Sequence, residues 1–170
     1  MVIREEHPGD EAAIRRVVQE AFGRPEEAYV VDELRRACPG LVSIVAEQEG
    51  DVVGHVLFSP ATVDSARGPV VGMGLAPLAV RPAVQGTGIG TRLVWSGLAQ
   101  LRAGPCPFVI VLGHPAYYPR FGFVPASRHG ILSQWPGVPD EAFLLLVLDA
   151  GAMDGVSGTA RYRSEFDRAV

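Results

Sequence analysis

The stretch VRPAVQGTGIGTRLV, residues 80–94, decides the fold of this chain, because it places three glycines at alternate positions between two different hydrophobic patterns. The apolar segment Val70–Val80 precedes the glycines and is typical of a buried strand, which Gly72, Gly74 and Pro77 interrupt. From Gly88 to about Ala103 the apolar residues recur at helical spacing. The pattern predicts a strand, a glycine turn and a helix in succession.

Such a turn is suited to binding an anion. Glycines allow a tight turn and let a ligand approach the main chain without interference from a Cβ atom. The start of the helix presents unpaired N–H groups and the positive end of the helix dipole. A pyrophosphate fits this arrangement, since a few charge-assisted bonds of roughly 1.5 to 3 kcal/mol each can anchor it without a basic side chain.

Two well-known phosphate-binding motifs do not match. A Walker A loop requires a lysine, and this chain contains none. A dinucleotide fingerprint requires GxGxxG, but after Gly86 and Gly88 the third glycine position is Thr91, and an apolar strand follows where an acidic residue is expected. The pattern that remains is QxxGxG, formed by Gln85, Gly88 and Gly90.

The rest of the chain alternates helices and strands. Two amphipathic helices are expected after residue 10 and after Pro25, and a β-hairpin over Leu41–Phe58, with a second strand that Ala61–Ser65 extends beyond Pro60. Buried strands are expected near residues 106–113 and 142–148. A strand, helix, strand unit needs a parallel crossover, so the order predicts an α/β fold with a mixed sheet and flanking helices.

Composition limits the function classes. The 170 residues are 48% hydrophobic and 20% charged, which predicts one globular domain over residues 1–170. A net charge of −4 without a basic cluster disfavours nucleic acid, and two distant cysteines, Cys38 and Cys106, disfavour a metal site. No apolar run approaches the roughly 20 residues of a membrane span, and the start lacks a signal peptide's apolar core. We therefore expect a cytoplasmic protein that does not associate with membranes.

The glycine turn also resembles a known family motif. Residues 78–90, LAVRPAVQGTGIG, closely resemble the acyl-CoA loop of the GNAT superfamily of N-acetyltransferases. The resemblance covers most of the chain, including the order of elements and the segment Tyr117–Phe123, YYPRFGF, which is similar to a compact subgroup of small acetyltransferases. It weakens beyond about Ser127. It implies a mixed, mostly antiparallel sheet with a central splayed pair of parallel strands.

The resemblance implies where acetyl-CoA, the acyl donor, would bind. The splayed strands would be Leu75–Val80 and Phe108–Leu112, and the pantetheine arm would pair with the main chain of Leu78, Ala79 and Val80. The loop would hold the pyrophosphate through residues Gln85, Gly86, Thr87, Gly88, Ile89, Gly90 and Thr91. Gln85 would mainly shape the loop, and no metal is implied.

The resemblance also implies catalytic roles. Tyr118 matches the family tyrosine that protonates or stabilises the departing thiolate, although it could instead be a core aromatic residue. The general base is open, since residues 73–80 contain no carboxylate. Glu47, His55 and His114 are candidate bases, each with a structural alternative, and His114 comes first because it follows the strand that leads to the splay.

Two functions remain open at this point. The first is transfer of an acetyl group to a primary amine of a small molecule or peptide, and the second is a non-catalytic module that senses acyl-CoA. The missing carboxylate favours the sensor, and Tyr118 favours the enzyme. Homodimers are common among such small enzymes, and we expect Tyr162 and Phe166 to anchor the C-terminal tail to the body of the protein.

Overall fold

The computed structural model describes residues 1–169, which form nine β-strands, three α-helices and several short 3₁₀ turns. The strands are β1 (Val2–Glu5), β2 (Val42–Gln48), β3 (Asp51–Ser65), β4 (Gly68–Val80), β5 (Phe108–Leu112), β6 (Val124–Pro125), β7 (Ile131–Ser133), β8 (Phe143–Val147) and β9 (Gly158–Arg161). The helices are α1 (Glu11–Phe22), α2 (Glu26–Ala37) and α3 (Ile89–Arg102). Among the described residues, no helix has the length and apolar character needed to cross a membrane.

The described chain divides into two compact units. Unit 1 comprises residues 1–59, 76–101 and the segment from residue 164, and unit 2 comprises residues 60–75 and 102–163. Strands β3 and β4 contribute residues to both units. A single domain over residues 1–170 stays a prediction.

Unit 1 contains the N-terminal antiparallel strands. β1 pairs with β2, and β2 pairs with β3 in a register that sets Ser43 opposite Leu57. The turn between β2 and β3 consists of Glu49 and Gly50, with φ angles of 55° and 87°, which matches the left-handed conformation that tight hairpins need. The predicted hairpin is confirmed, as is the extension of β3 beyond Pro60.

Helices α1 and α2 bury the faces that their sequence periodicity predicts. Their apolar side chains are at most 2% exposed at the core positions Ile14, Val17, Val18, Val30, Val31 and Leu34. α1 ends at Gly23, whose φ of 69° is the left-handed conformation common after a helix. α2 carries acidic residues in its first turn and basic residues in its last, an order that complements the helix dipole.

Helix α3 packs closely on β3 because glycines remove side chains at the contact. A Cβ atom at Gly97 would lie 2.6 Å from Cζ of Phe58, and a Cβ atom at Gly54 would lie 2.9 Å from Cδ1 of Leu93. Both distances are too short for carbon atoms in contact. The start of α3, which follows the glycine turn, is thus held against β3 by packing along the helix.

Unit 2 contains the one parallel pair that the described residues show in the main strand order. β4 and β5 pair in parallel at Met73 with Val109 and at Gly74 with Ile110. β5 then pairs antiparallel with β8 over its whole length, and β8 pairs with β6. The predicted mixed, mostly antiparallel sheet with a parallel pair is confirmed.

Strand β9 was not expected from the sequence. It pairs antiparallel with the end of β3 and parallel with β7. Gly158 has a φ of 140°, and a Cβ atom there would collide with the carbonyl of Asp64. The segment Gly158–Arg161 has no apolar alternation of its own, so its strand conformation depends on partners that are distant in sequence.

Candidate active site

The glycine loop of unit 1 is shaped by its own side chains. The Gln85 amide donates from Nε2 to the carbonyl of Val80 at 2.9 Å, and the Thr87 hydroxyl donates to the carbonyl of Val84 at 2.7 Å. The N–H of Gln85 also donates to the carbonyl of Pro82 at 3.3 Å. These bonds fold the loop back onto the end of β4, in agreement with the role expected for Gln85.

The glycines leave the outer side of this loop open. Gly86 and Gly88 have φ angles of 76° and 87°, and a Cβ atom at either position would meet no heavy atom within 4 Å. All four residues from Gln85 to Gly88 are exposed. The glycines are therefore required by backbone conformation, and the space beside them is free of protein atoms.

Helix α3 begins directly at this loop. The N–H of Arg92 donates to the carbonyl of Gly88 at 3.1 Å, which is the first bond of the helical ladder. The amides of Ile89 and Gly90 precede this bond, at the end of the helix where N–H groups generally lack intrahelical partners. Ile89 is buried and fixes the helix start, while Gly90 and Thr91 are half-buried. The amides of the loop and first turn share one end of the helix, where its dipole is positive.

The end of β4 supplies main-chain groups next to the loop. Ala79 is buried, whereas Leu78 and Val80 are half-buried. The N–H of Arg81 donates to the carbonyl of Val53 at 2.9 Å, which continues the contact with β3. Arg81 is also held by an ion pair with Glu20 at 3.0 Å.

In unit 2, Tyr118 lies against the chain that leaves β5. It begins the 3₁₀ turn Tyr118–Phe121, and its ring packs on Gly113, where a Cβ atom would lie 2.9 Å from Cδ2 of Tyr118. Edge-on contacts with Tyr117 and Phe123, at centroid distances of 5.1 and 5.7 Å, fix the ring further. Gly113 is a residue that sequence reasoning missed, and its position directly after a buried strand was the available signal.

Burial controls the chemistry of the Tyr118 phenol. The side chain is 8% exposed, and this burial, with a smaller contribution from Tyr117, raises the pKa of Tyr118 well above its usual range. The phenol therefore keeps its proton at neutral pH. A protonated phenol can donate a hydrogen bond to a nearby anion, whereas it cannot act as a base.

His114 is exposed on the same segment. Its Nδ1 accepts the N–H of Ala116 at 3.3 Å, and its carbonyl accepts the N–H of Tyr117 at 3.0 Å. A ring nitrogen that accepts a hydrogen bond carries no proton, so the neutral imidazole is assigned the tautomer with its proton on Nε2. To take a proton as a base, the imidazole would have to give up this local bond.

Glu47 is engaged by an arginine in unit 1. Arg4 donates from Nε and Nη2 to Glu47 at 2.9 and 2.8 Å, and from Nη1 to Asp10 at 2.7 Å. The ion pairs with Arg4 hold the pKa of Asp10 below its usual value. A carboxylate held this way is a weak candidate for a base, because taking a proton would cost it the interaction with Arg4.

His55 is fully buried within a chain of polar groups in unit 1. The Ser43 hydroxyl donates to Glu6, which leaves the Ser43 oxygen to accept from Nε2 of His55 at 2.9 Å. Arg35 donates to the other oxygen of Glu6 at 2.7 Å. Burial first, and the nearby charge of Arg35 second, lower the pKa of His55 to about 3. His55 is therefore a neutral structural residue near pH 7.

Stability should depend on pH through His55. In the unfolded chain an imidazole has a pKa of about 6.5, so acid protonates the unfolded state before the folded one. The contribution of neutral His55 to the free energy of unfolding is fully present above that pKa, and we expect about 2 kcal/mol of it to be lost between about pH 7.5 and about pH 5.

Urea unfolding of the wild type and of His55→Gln over this pH range measures the loss, which should be smaller in the variant. The exposed residue His129 provides the control. His129→Gln should show the same dependence of the free energy of unfolding on pH as the wild type. If His55→Gln also showed it, His55 would not be the buried group responsible.

Comparison with known proteins agrees with these features. The family model described as "Acetyltransferase (GNAT) family" matches residues 11–123. The uncharacterized N-acetyltransferase YhbS of Escherichia coli K12 is 38% identical over 169 residues, which is 99% of each chain. The uncharacterized N-acetyltransferase YjhQ of the same strain is 43% identical over 136 residues, 78% of this chain and 74% of that protein.

Solved structures show the same similarity. The crystal structure of YhbS from Escherichia coli in complex with CoA has a TM-score of 0.89 and 36% identity, and the match covers 98% of this chain and 92% of that one. A GNAT family acetyltransferase from Brucella melitensis in complex with acetyl-CoA has a TM-score of 0.80 and 35% identity, covering 98% and 97%. This protein belongs to the GNAT family of acetyltransferases.

Proposed function

We propose that this protein is an acetyl-CoA-dependent N-acetyltransferase that transfers the acetyl group directly to a primary amine of a small molecule or peptide. The observation that carries the proposal is the open glycine loop at the start of α3, with Gly86 and Gly88 at positive φ and no protein atoms beside them. The structures of two relatives, each more than a third identical to this chain, contain CoA or acetyl-CoA and support the choice of donor.

The loop would hold the pyrophosphate of the donor. Amides from Gly86 to Gly90 would donate to it at the positive end of α3, with the Thr91 hydroxyl as a further donor, and charge-assisted bonds to a phosphate contribute roughly 1.5 to 3 kcal/mol each. Main-chain groups of Leu78, Ala79 and Val80 would pair with the pantetheine arm as an added strand does. No lysine is needed for this mode of binding, which is consistent with a chain that has none.

The transfer itself forms a C–N bond and breaks a C–S bond. The acceptor amine attacks the thioester carbonyl after losing a proton, and the sulfur leaves as a thiolate. The Tyr118 phenol would donate a hydrogen bond to that sulfur. An ordinary phenol is already a weaker acid than a thiol, whose pKa is about 8.5, and burial raises the pKa of Tyr118 further, so the phenol would stabilise the thiolate by this bond rather than give up its proton to it.

The base that deprotonates the amine is assigned to His114. Glu47 is paired with Arg4, and His55 is buried and bonded to Ser43, so both are occupied. His114 is exposed and its contact with Ala116 is long at 3.3 Å, which makes the imidazole the most available of the three candidates. We assign it the proton transfer, directly or through a water molecule.

A release assay tests the proposed activity. Purified protein is incubated with acetyl-CoA and with polyamines, aminoglycosides, amino acids and peptides in parallel, and free CoA thiol is measured. Release that depends on one class of amine is the expected result. If acetyl-CoA raises the melting temperature but no amine in the panel causes release, the protein is a sensor and the enzymatic proposal is wrong. At a donor concentration 100 times Kd, binding alone should stabilise the fold by about 2.7 kcal/mol.

A further inference from the structure

The Tyr162 hydroxyl lies in unit 2 at the fork where β4 and β5 stop pairing. It is within 3.3 Å of the carbonyls of Leu75 and Ile110, to which it can donate, and it accepts the N–H of Leu112 at 3.3 Å. One side chain from the C-terminal segment therefore contacts the main chains of both parallel strands. The sequence suggested only that Tyr162 anchors the tail.

The hydroxyl occupies the place of one rung, that is, one main-chain hydrogen bond, in the ladder between the two parallel strands. Continuing the register of Gly74 with Ile110 would set Leu75 opposite Val111. In a parallel ladder the carbonyl of a residue bonds the N–H one position beyond its partner, which here is the N–H of Leu112. A direct bond would bring these two atoms to about 2.9 Å. Instead, each of them contacts the phenol oxygen at 3.3 Å.

The ring of Tyr162 is held in this position from several directions. It stacks on Trp135 with a centroid distance of 5.5 Å and an angle of 25°. The main-chain N–H of Tyr162 donates to Oε1 of Gln134 at 2.6 Å. The ring also packs closely against Gly74, where a Cβ atom would be 2.7 Å from Cδ1 of Tyr162. Tyr162 is 7% exposed. Its orientation is thus determined by packing, and a side chain at residue 74 would displace it.

We propose that Tyr162 is a positioning residue whose hydroxyl replaces one rung between β4 and β5 and holds open the gap that receives the thiol end of CoA. This inference rests on the proposed function, since it takes the pantetheine arm to enter between these strands. Without the hydroxyl, Leu75 and Leu112 either bond each other and narrow the gap or remain unpaired. In both cases the site for the thiol end is less well formed, while the pyrophosphate loop is untouched.

Binding of two ligands to Tyr162→Phe tests the proposal. The probes are CoA and 3′-phosphoadenosine 5′-diphosphate, which is the CoA headgroup without its pantetheine arm, and calorimetry gives Kd for each. We expect Tyr162→Phe to weaken CoA about tenfold, to raise KM for acetyl-CoA by a similar factor, and to leave headgroup affinity unchanged. The exposed Tyr29→Phe removes a phenol hydroxyl elsewhere and should change neither affinity.

Two results would overturn the proposal. One is unchanged CoA affinity in Tyr162→Phe, and the other is an equal loss for CoA and headgroup, which would indicate a general structural role. Gly74→Ala provides a second variant if Tyr162→Phe yields no folded protein, and it should show the same selective loss of CoA because it displaces the ring. If the wild type binds neither ligand, the proposed function fails instead, and the two failures are distinguishable.

Discussion

Replacing Tyr118 by phenylalanine should lower kcat by about 100-fold or more, because removing one positioned hydrogen-bond donor to charge that develops in the transition state costs roughly that factor. The ring would remain packed on Gly113 and against Phe123, so the fold should be retained. KM for acetyl-CoA should change little, since the phenol would act on charge that develops only as the C–S bond breaks. Steady-state kinetics with a saturating acceptor measures both constants.

Tyr117 provides a matched control for this variant. It is adjacent in sequence, half-buried, and packed beneath Arg120, whose guanidinium lies 4.4 Å from the ring centroid. Tyr117→Phe removes a hydroxyl from the same segment and should leave kcat near the wild-type value. Full turnover by Tyr118→Phe would remove the catalytic assignment and leave Tyr118 as a core aromatic residue.

The second large effect is expected at the glycine loop. Gly88→Asp should raise Kd for acetyl-CoA by about 100-fold or more, because it places a side chain and a negative charge where the pyrophosphate would approach the main chain. The loss of one or two charge-assisted bonds alone corresponds to about 10-fold to 100-fold or more. Calorimetric titration with acetyl-CoA gives the affinity, and thermal unfolding gives the stability of the same sample.

Gly50→Asp separates binding from backbone strain. Gly50 has the same φ of 87° as Gly88, and a Cβ atom at either position meets no heavy atom within 4 Å. Both variants should therefore lose a similar stability, of the order of 1–2 kcal/mol, from an unfavourable φ. Only Gly88→Asp should lose affinity. Equal affinities in the two variants would show that the donor does not bind at this loop.

Local signals in the sequence were sufficient for part of the fold and site. The turn glycines, the periodicity of α1, α2 and α3, and the hairpin each depend on residues close together in the chain, so composition and spacing predict them. The glycine loop belongs to this group, because a positive φ and an open approach are properties of the glycines themselves. The family resemblance was also carried by these local motifs and is confirmed.

Other features depend on residues far apart in sequence. Gly158–Arg161 becomes a strand only because β3 and β7 supply its partners. The sequence made His55 a candidate base. In the structure, burial and the nearby charge of Arg35 lower the pKa of His55, and its Nε2 is bonded to Ser43. Burial and charge at a side chain are set by elements that pack on it, and sequence spacing does not report them.

The sequence by itself therefore determined the strand, turn and helix around the glycine loop, since main-chain conformation there follows from glycine and helix propensity. Only the tertiary structure placed the Tyr162 hydroxyl between Leu75 and Leu112, which are 87 and 50 residues away in the chain. Closing such long loops needs the packing of a whole unit. The contacts of this hydroxyl with Leu75 and Leu112 are for that reason a property of the folded unit and of no single motif.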